Sequence, residues 1–360
     1  LPSWIRIMGI RASTTTALVY LAWTRIAAPS AAAAFQLQQQ LASRSANTHL
    51  LFRRQLQQQQ RRPAFTTTVR RMASTTSTTE EGAIDIAANV EWVRENIKKA
   101  IAEKEEEDSS STTTPTPQVR LVAVSKTKPI ELLKQAYEQA NVRAFGENYI
   151  QEMVDKVPQL PSDVTWHFIG NVQSNKVKLL LSPFLASASS GTESCLDRLV
   201  LETVSSLKLA RKLQNAIETS GSGSNDNKKL RIFVQVNTSG EDSKSGVSSS
   251  VDGDINARDE VVELCKAIVQ ECPALQLQGL MTIGAPGDES CLDRLVICRN
   301  QVAAALSSSS SSDEQYQPPL LELSMGMSGD YEVAIRKGST NVRVGSTIFG
   351  ARDYSSVNKK

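Results

Sequence analysis

The chain predicts a single (β/α)8 barrel of the TIM type. Three observations carry this reading. Short apolar runs alternate with helical patterns eight times over roughly 240 residues. The first run, Leu121 to Val124, is continuously apolar, as in a parallel strand covered on both faces. No G-x-G-x-x-G follows it, which counts against the alternative, an open doubly wound sheet with a dinucleotide site.

Taken in order, residues 84 to 107 place Ile84, Ala87, Ala88, Val90, Val93, Ile97 and Ile101 at helical spacing and run into the acidic stretch Glu103 to Asp108. That is an amphipathic helix. The linker SSSTTTPTPQ after it is too polar and proline-rich to pack. The strand runs follow: LVAVS from Leu121, RAFGEN from Arg143, WHFIG from Trp166, LVLETV from Leu199, IFVQVN from Ile232, LQGLMTI from Leu277, LELSMG from Leu321 and NVRVGS from Asn341. Serine-rich insertions near residues 187, 220, 245 and 307 read as surface loops, which a barrel tolerates because loop closure costs little more as length grows. The octapeptide ESCLDRLV occurs at 193 to 200 and again at 289 to 296. The second copy opens a helix; the first reads as an inserted segment or a sequence artefact. The expected organisation is a leader over 1–79, the helix and linker over 80–118, and the barrel over 119–360.

Residues 1 to 79 carry ten arginines and no lysine, aspartate or glutamate. An Arg-rich, Ser-rich, acid-free amino terminus has the composition of a mitochondrial or plastid transit peptide. With Leu1 in place of Met, a truncated sequence or one that includes translated leader is the expectation, and Met72 offers an internal start that would give a cytosolic form. Ala17 to Phe35, the apolar stretch there, contains Arg25 and Pro29, and its uninterrupted part is far shorter than the roughly 20 residues a spanning helix needs; no membrane partner is expected. The rest of the chain holds 30 basic against 38 acidic residues, a balance that gives no support for nucleic-acid binding. Five cysteines lack CxxC or zinc-ligand spacing and read as thiols of a reducing compartment. With two histidines, His49 and His167, no His-rich metal site is expected, and a Ser-His-Asp triad would have to use His167.

In such a barrel the chemistry gathers past the carboxyl ends of the strands. Lys126 follows the first strand and Asn148 the second. His167 lies in the third with Asn171 after it, and Asn237 follows the fifth. Met281 and Thr282 end the sixth, Ser328 follows the seventh, and Gly345 and Ser346 follow the eighth. Lys126 is either a solvated loop lysine or a reactive amine. Asn148 and Asn237 also suit helix or turn caps. His167, between Trp166 and Phe168, suits a hydrogen-bonded barrel histidine better than a catalyst. Arg343 points inward or outward depending on register, and inward it needs an acceptor, such as a cofactor ring nitrogen. The loops SMGMSGDYEVAI and VRVGSTIFG supply small residues whose N–H groups can approach a phosphate, each followed by a helix start whose dipole favours an anion. A lysine across the mouth from a phosphate cup suits a ligand with an aldehyde and a phosphate. Pyridoxal 5′-phosphate (PLP) is the common one, and Lys128 beside Lys126 would favour unprotonated amine.

VAVSKTKP at 122, FGENYIQE at 145, WHFIGNVQSNK at 166, QVNTSGEDSKSG at 235, GLMTIG at 279, LSMGMSGDYEVAI at 323 and GSTNVRVGSTIFGARDY at 338 together resemble the pyridoxal phosphate homeostasis proteins. Their barrel is similar to the amino-terminal domain of alanine racemase, and the resemblance covers about residues 84 to 355. It implies that Lys126 is the Schiff-base lysine, that Ser328, Gly345 and Ser346 hold the phosphate, and that Arg343 lies near the pyridine nitrogen. It further implies that Asn148, His167 and Asn237 line the cofactor pocket. The serine-rich insertions, the repeated octapeptide and the long leader depart from the family pattern.

A racemase needs an acid/base on each face of the substrate carbon, and alanine-racemase-type enzymes take one from a second domain and partner subunit. This sequence ends about one short helix after the eighth strand. A ring nitrogen facing Arg343 would stay unprotonated, which weakens the electron sink. The expectation is a monomeric, non-catalytic PLP carrier without a metal, serving apo PLP-dependent enzymes. The alternatives are a PLP-dependent amino-acid racemase-like enzyme using Lys126 and His167, and a barrel enzyme of phosphorylated metabolites that uses no PLP.

Overall fold

The computed structural model describes residues 84–108, 118–185, 194–220, 228–241, 244–249, 260–309 and 321–351. The expected leader and most of the serine-rich insertions lie outside them. In chain order the elements are α1 (Ile86–Asp108), β1 (Arg120–Val124), α2 (Ile130–Ala140), β2 (Ala144–Glu147), α3 (Ile150–Lys156), β3 (Thr165–Phe168), α4 (Val177–Leu181), β4 (Leu199–Val204), α5 (Leu207–Thr219) and β5 (Leu230–Asn237). Then come β6 (Val247–Ser248), α6 (Glu260–Glu271), β7 (Leu275–Met281), α7 (Ser290–Ser309), β8 (Glu322–Met327), α8 (Tyr331–Arg336), β9 (Asn341–Val344) and α9 (Ser346–Phe349).

Every strand pairing is parallel, and the ring closes: β1 to β5 pair in sequence, β5 pairs β7, and β9 returns to β1. This is the expected eight-stranded TIM barrel. The two-residue β6 sits outside the ring, on β5. Each expected strand run overlaps a barrel strand. The first copy of the octapeptide is part of the fold, because its last two residues, Leu199 and Val200, begin β4, while the second copy lies almost wholly in α7.

The register decides what faces inward. Val122 pairs with Arg343 and Val124 with Gly146. A Cβ on Gly146 would touch Val122 and Val124, so these positions share the inner face. Most buried apolar side chains lie in one continuous core, while Val200, Phe233 and Met281 form a separate small cluster. The amino-terminal end of the barrel carries a polar network, in which Arg120 donates to Glu322 (3.0 Å) and Asn341 (2.6 Å) and Gln278 donates to Glu322 (2.7 Å). Such networks at the end away from the loops serve stability. Helix α1 buries Ile86, Val90, Val93, Ile97 and Ala100 against α2, α8 and α9. Among the described residues no helix is long and apolar enough to cross a membrane, and no cluster of three His, Cys, Asp or Glu could hold a metal.

Candidate functional site

The carboxyl mouth of the barrel holds a cavity of about 250 Å³ lined by Lys126, Lys128, Ser328, Arg343, Gly345 and Ser346, with Val124 and Ile169 as apolar walls. Five of the eight singled-out residues therefore meet in one space, although β1 and β9 lie some 200 residues apart in sequence. Parallel closure brings them together, since it sets the loop after β1 beside the loop after β9.

The phosphate expectation is modified in one respect. Helices α8 and α9 have six and four residues, and neither is long enough to build up a sizeable dipole. What faces the cavity is instead a set of small groups. The Gly345 N–H donates to Ser328 Oγ at 3.2 Å, leaving the Ser328 hydroxyl hydrogen available to a ligand. A Cβ on Gly345 would stand 3.2 Å from the Val124 carbonyl oxygen, so a glycine keeps this backbone close against β1.

Beneath the cavity lies a buried polar layer. His167 Nδ1 is 2.6 Å from Glu202 Oε1, and Ser324 Oγ donates to Glu202 Oε2 at 2.6 Å. Strands β4 and β8 are not neighbours, so this contact spans the barrel interior. Arg343 points inward, donates to Ser324 Oγ and to the Thr282 carbonyl (2.7 Å), and lies 3.6 Å from Glu202. Its acceptors are thus within the protein. Burial opposes a charge on Glu202, but the hydrogen bond from His167, the Arg343 charge and the Ser324 hydroxyl together outweigh it and hold the carboxyl below its ordinary value. Burial pulls His167 below its ordinary value despite the carboxylate. The imidazole is accordingly neutral with Nδ1–H donating to Glu202, and Nε2, which is buried, has no hydrogen-bond partner among the described residues.

His167 sits in this layer and is not among the cavity's lining residues. Asn148 lines a neighbouring pocket of about 390 Å³ with Asn171 and Gln173, between the loops after β2 and β3. The Asn237 amide is used within its own loop: Nδ2 donates to the Glu241 carbonyl (2.9 Å) and Oδ1 accepts from Ser239 Oγ (3.0 Å).

Sequence reasoning missed Glu147, Glu152 and Lys156 around the Lys126 loop, and Glu202 and Ser324 beneath it. Glu147 and Glu202 left a signal, because each is the lone carboxylate of its strand run, and fully buried carboxylates are rare unless partnered.

Comparison with known proteins defines the class first. The family described as "Alanine racemase, N-terminal domain" matches residues 109–353. A crystal structure of an unknown protein from Bifidobacterium adolescentis superposes with a TM-score of 0.52 at 28% identity, covering 76% of this chain and 99% of that one. The pyridoxal phosphate homeostasis protein of Bos taurus is 40% identical over 274 residues, covering 74% of this chain and 88% of its own. The protein of that name from Schizosaccharomyces pombe is 42% identical over 234 residues, 65% of this chain and 84% of its own. Within the barrel class, this chain belongs to the pyridoxal phosphate homeostasis protein family.

Proposed function

We propose that the chain binds PLP in the mouth cavity, with Lys126 as the covalent attachment point and Ser328, Gly345 and Ser346 receiving the phosphate. On this reading it buffers or delivers the cofactor to apo PLP-dependent enzymes as a monomer. The observation that carries the proposal is the convergence of Lys126, Ser328, Arg343, Gly345 and Ser346 on one cavity of about 250 Å³, just under the usual range for small-ligand sites.

The residues present fit the group. When bound, PLP supplies a carbonyl that condenses with a primary amine, an anionic phosphate and a pyridine nitrogen that can serve an electron sink. Lys126 offers the amine. Ser328 and Ser346 offer hydroxyls, and Gly345 leaves room for close backbone approach. Arg343, kept in place by Ser324 and the Thr282 carbonyl, presents a permanent cation to the cavity and would keep a neighbouring ring nitrogen unprotonated. His167 is tied to Glu202 below the cavity, so it is not placed as the second acid/base of a racemase. Both features favour a carrier over a racemase.

The test is an absorbance spectrum of protein beginning at residue 80, before and after borohydride, with Lys126→Ala alongside. The expected result is a band fixed by reduction onto the Lys126 peptide and lost in the variant. No band with PLP added would overturn the reading. Turnover of an amino acid that Lys126→Ala abolishes would replace the carrier by a racemase-type enzyme.

A further inference from the structure

The residues on either side of Lys126 are tied to a buried cluster of charges that does not line the cavity. Lys156, at the end of α3 and 6% exposed, donates to the Ser125 carbonyl (2.9 Å), to Glu147 Oε1 (2.8 Å) and to Glu152 Oε1 (2.6 Å). Its three ammonium hydrogens are thereby matched. Glu147 Oε1, at the end of β2, also accepts from Ser125 Oγ at 2.6 Å, and Glu152 Oε1 accepts the Thr127 N–H at 2.7 Å. Ser125 and Thr127 are therefore both fastened to one ammonium and its two carboxylates, with Lys126 between them.

Two further facts bear on the loop's geometry. Thr127 has φ of 61°, left-handed backbone that a β-branched residue adopts only when its surroundings over-determine it; the Glu152 carboxylate receives the amide of that residue. Burying a charged cluster seldom adds net stability over apolar packing, so net stability alone does not account for it. FGENYIQE and the lysine after it supply all three groups, a use of that stretch which the cavity does not account for.

We propose that Glu147, Glu152 and Lys156 are positioning residues. They fix the backbone at Ser125 to Thr127 so that the Lys126 amine is presented to the cavity, and they do not touch the ligand. The inference rests on PLP attachment at Lys126, and its test separates the two claims.

Glu152→Ala, Glu152→Gln and Lys156→Met are compared with wild type by three measurements: affinity for PLP with borohydride trapping at Lys126, affinity for pyridoxine 5′-phosphate, and hydrogen exchange of the 125–129 segment in protein without ligand. Pyridoxine 5′-phosphate keeps ring and phosphate but has no carbonyl to condense. The expected result for Glu152→Ala and Lys156→Met is a loss of about tenfold or more in PLP capture, as misplacement of a reacting group produces, with the alcohol analogue changed by less than about twofold. Exchange at Thr127 should quicken by a similar factor while the strand amides stay protected. Glu152→Gln, which keeps a carbonyl acceptor, should retain most of the capture.

Equal losses for both ligands, or unchanged trapping, would overturn the proposal. So would failure of both Lys156→Met and Glu152→Ala to fold, since a purely structural role is then sufficient. If wild type takes up no PLP at all, the attachment reading fails by itself, and the exchange of Thr127 still decides whether the brace holds the loop.

Discussion

Arg343 and Glu202 are buried together, 4% and 0% exposed, so removing either leaves an uncompensated charge in the barrel interior. Arg343→Leu is expected to destabilise the fold by about 3 to 5 kcal/mol in urea denaturation, with Glu202→Leu added in the double variant recovering much of that loss. A double variant no more stable than the single would show that the pair is not coupled. Glu147 gives the pH dependence. Burial is the largest influence on it, outweighing Lys156 and Ser125, and raises its carboxyl to about 7. Between the unfolded value near 4.5 and 7 the folded chain holds a proton that the unfolded chain has lost, so this group's contribution falls as pH rises, by about 3 kcal/mol over that window. His167 has the opposite sign: its lowered folded value gives stability that is present above about 6.5 and lost as pH falls. In melting curves from pH 4.5 to 8, wild type should lose ground to Glu147→Gln as pH rises, whereas against His167→Gln it should gain. A flat difference for Glu147→Gln would remove the titration from that carboxyl. The inward direction of Arg343 was undecided from sequence because alternation in NVRV suits either face. The pairing of Arg343 with Val122 settles it, and a register is a property of two strands, not of one.

The strands were legible in the chain because parallel strands buried on both faces leave continuous apolar runs, as LVLETV does over β4. The helix ends were less so. Helix α2 begins after Pro129 with no side-chain cap and closes on Asn141 in left-handed conformation, whereas α8 and α9 proved too short for the dipole that their glycine-flanked sequences suggested. The repeated octapeptide shows the limit of local reading, since identical residues enter a strand at 199 and a helix at 290 according to their tertiary neighbours. The brace was illegible for the same reason: Lys156 meets Ser125 across 31 residues, and no spacing rule spans that distance. Glycines of the β8–β9 segment offer a test at this scale. Gly326 has φ of 92°, and a Cβ there would lie 2.6 Å from that of Ala334 and 2.9 Å from Tyr331 Cα; Gly338 has φ of 96° with nothing within 4 Å. Gly338→Ala should cost about 1 kcal/mol, from backbone conformation alone, and Gly326→Ala roughly 3 kcal/mol or more, because α8 must also move. Equal losses in denaturant titrations would mean that α8 yields without cost.

The molecule places the cavity lined by Lys126 and Ser328 at one end of a closed barrel and its polar network at the other, and α1 is joined to the same body. Its buried face packs on α2, α8 and α9, with Asn89 donating to the Ile348 carbonyl (3.1 Å) and Asn96 to the Tyr331 hydroxyl (3.2 Å). One of those helices follows Ser328 and another begins at Ser346, after Gly345, so α1 backs the side of the cavity that these three residues line. Burying Ile86, Val90, Val93 and Ile97 contributes roughly 8 kcal/mol of gross hydrophobic stabilisation at about 2 kcal/mol for each side chain, before the entropy of ordering the helix is set against it. A chain beginning at residue 80 should therefore melt cooperatively and bind ligand, while one beginning at residue 118 should lose its cooperative transition and bind a hydrophobic dye through the exposed faces of α2, α8 and α9. Helix α1 would then be part of the barrel's folding unit. If the shorter chain melts as the longer one does, with its binding intact, α1 is dispensable and the barrel stands from β1 onward.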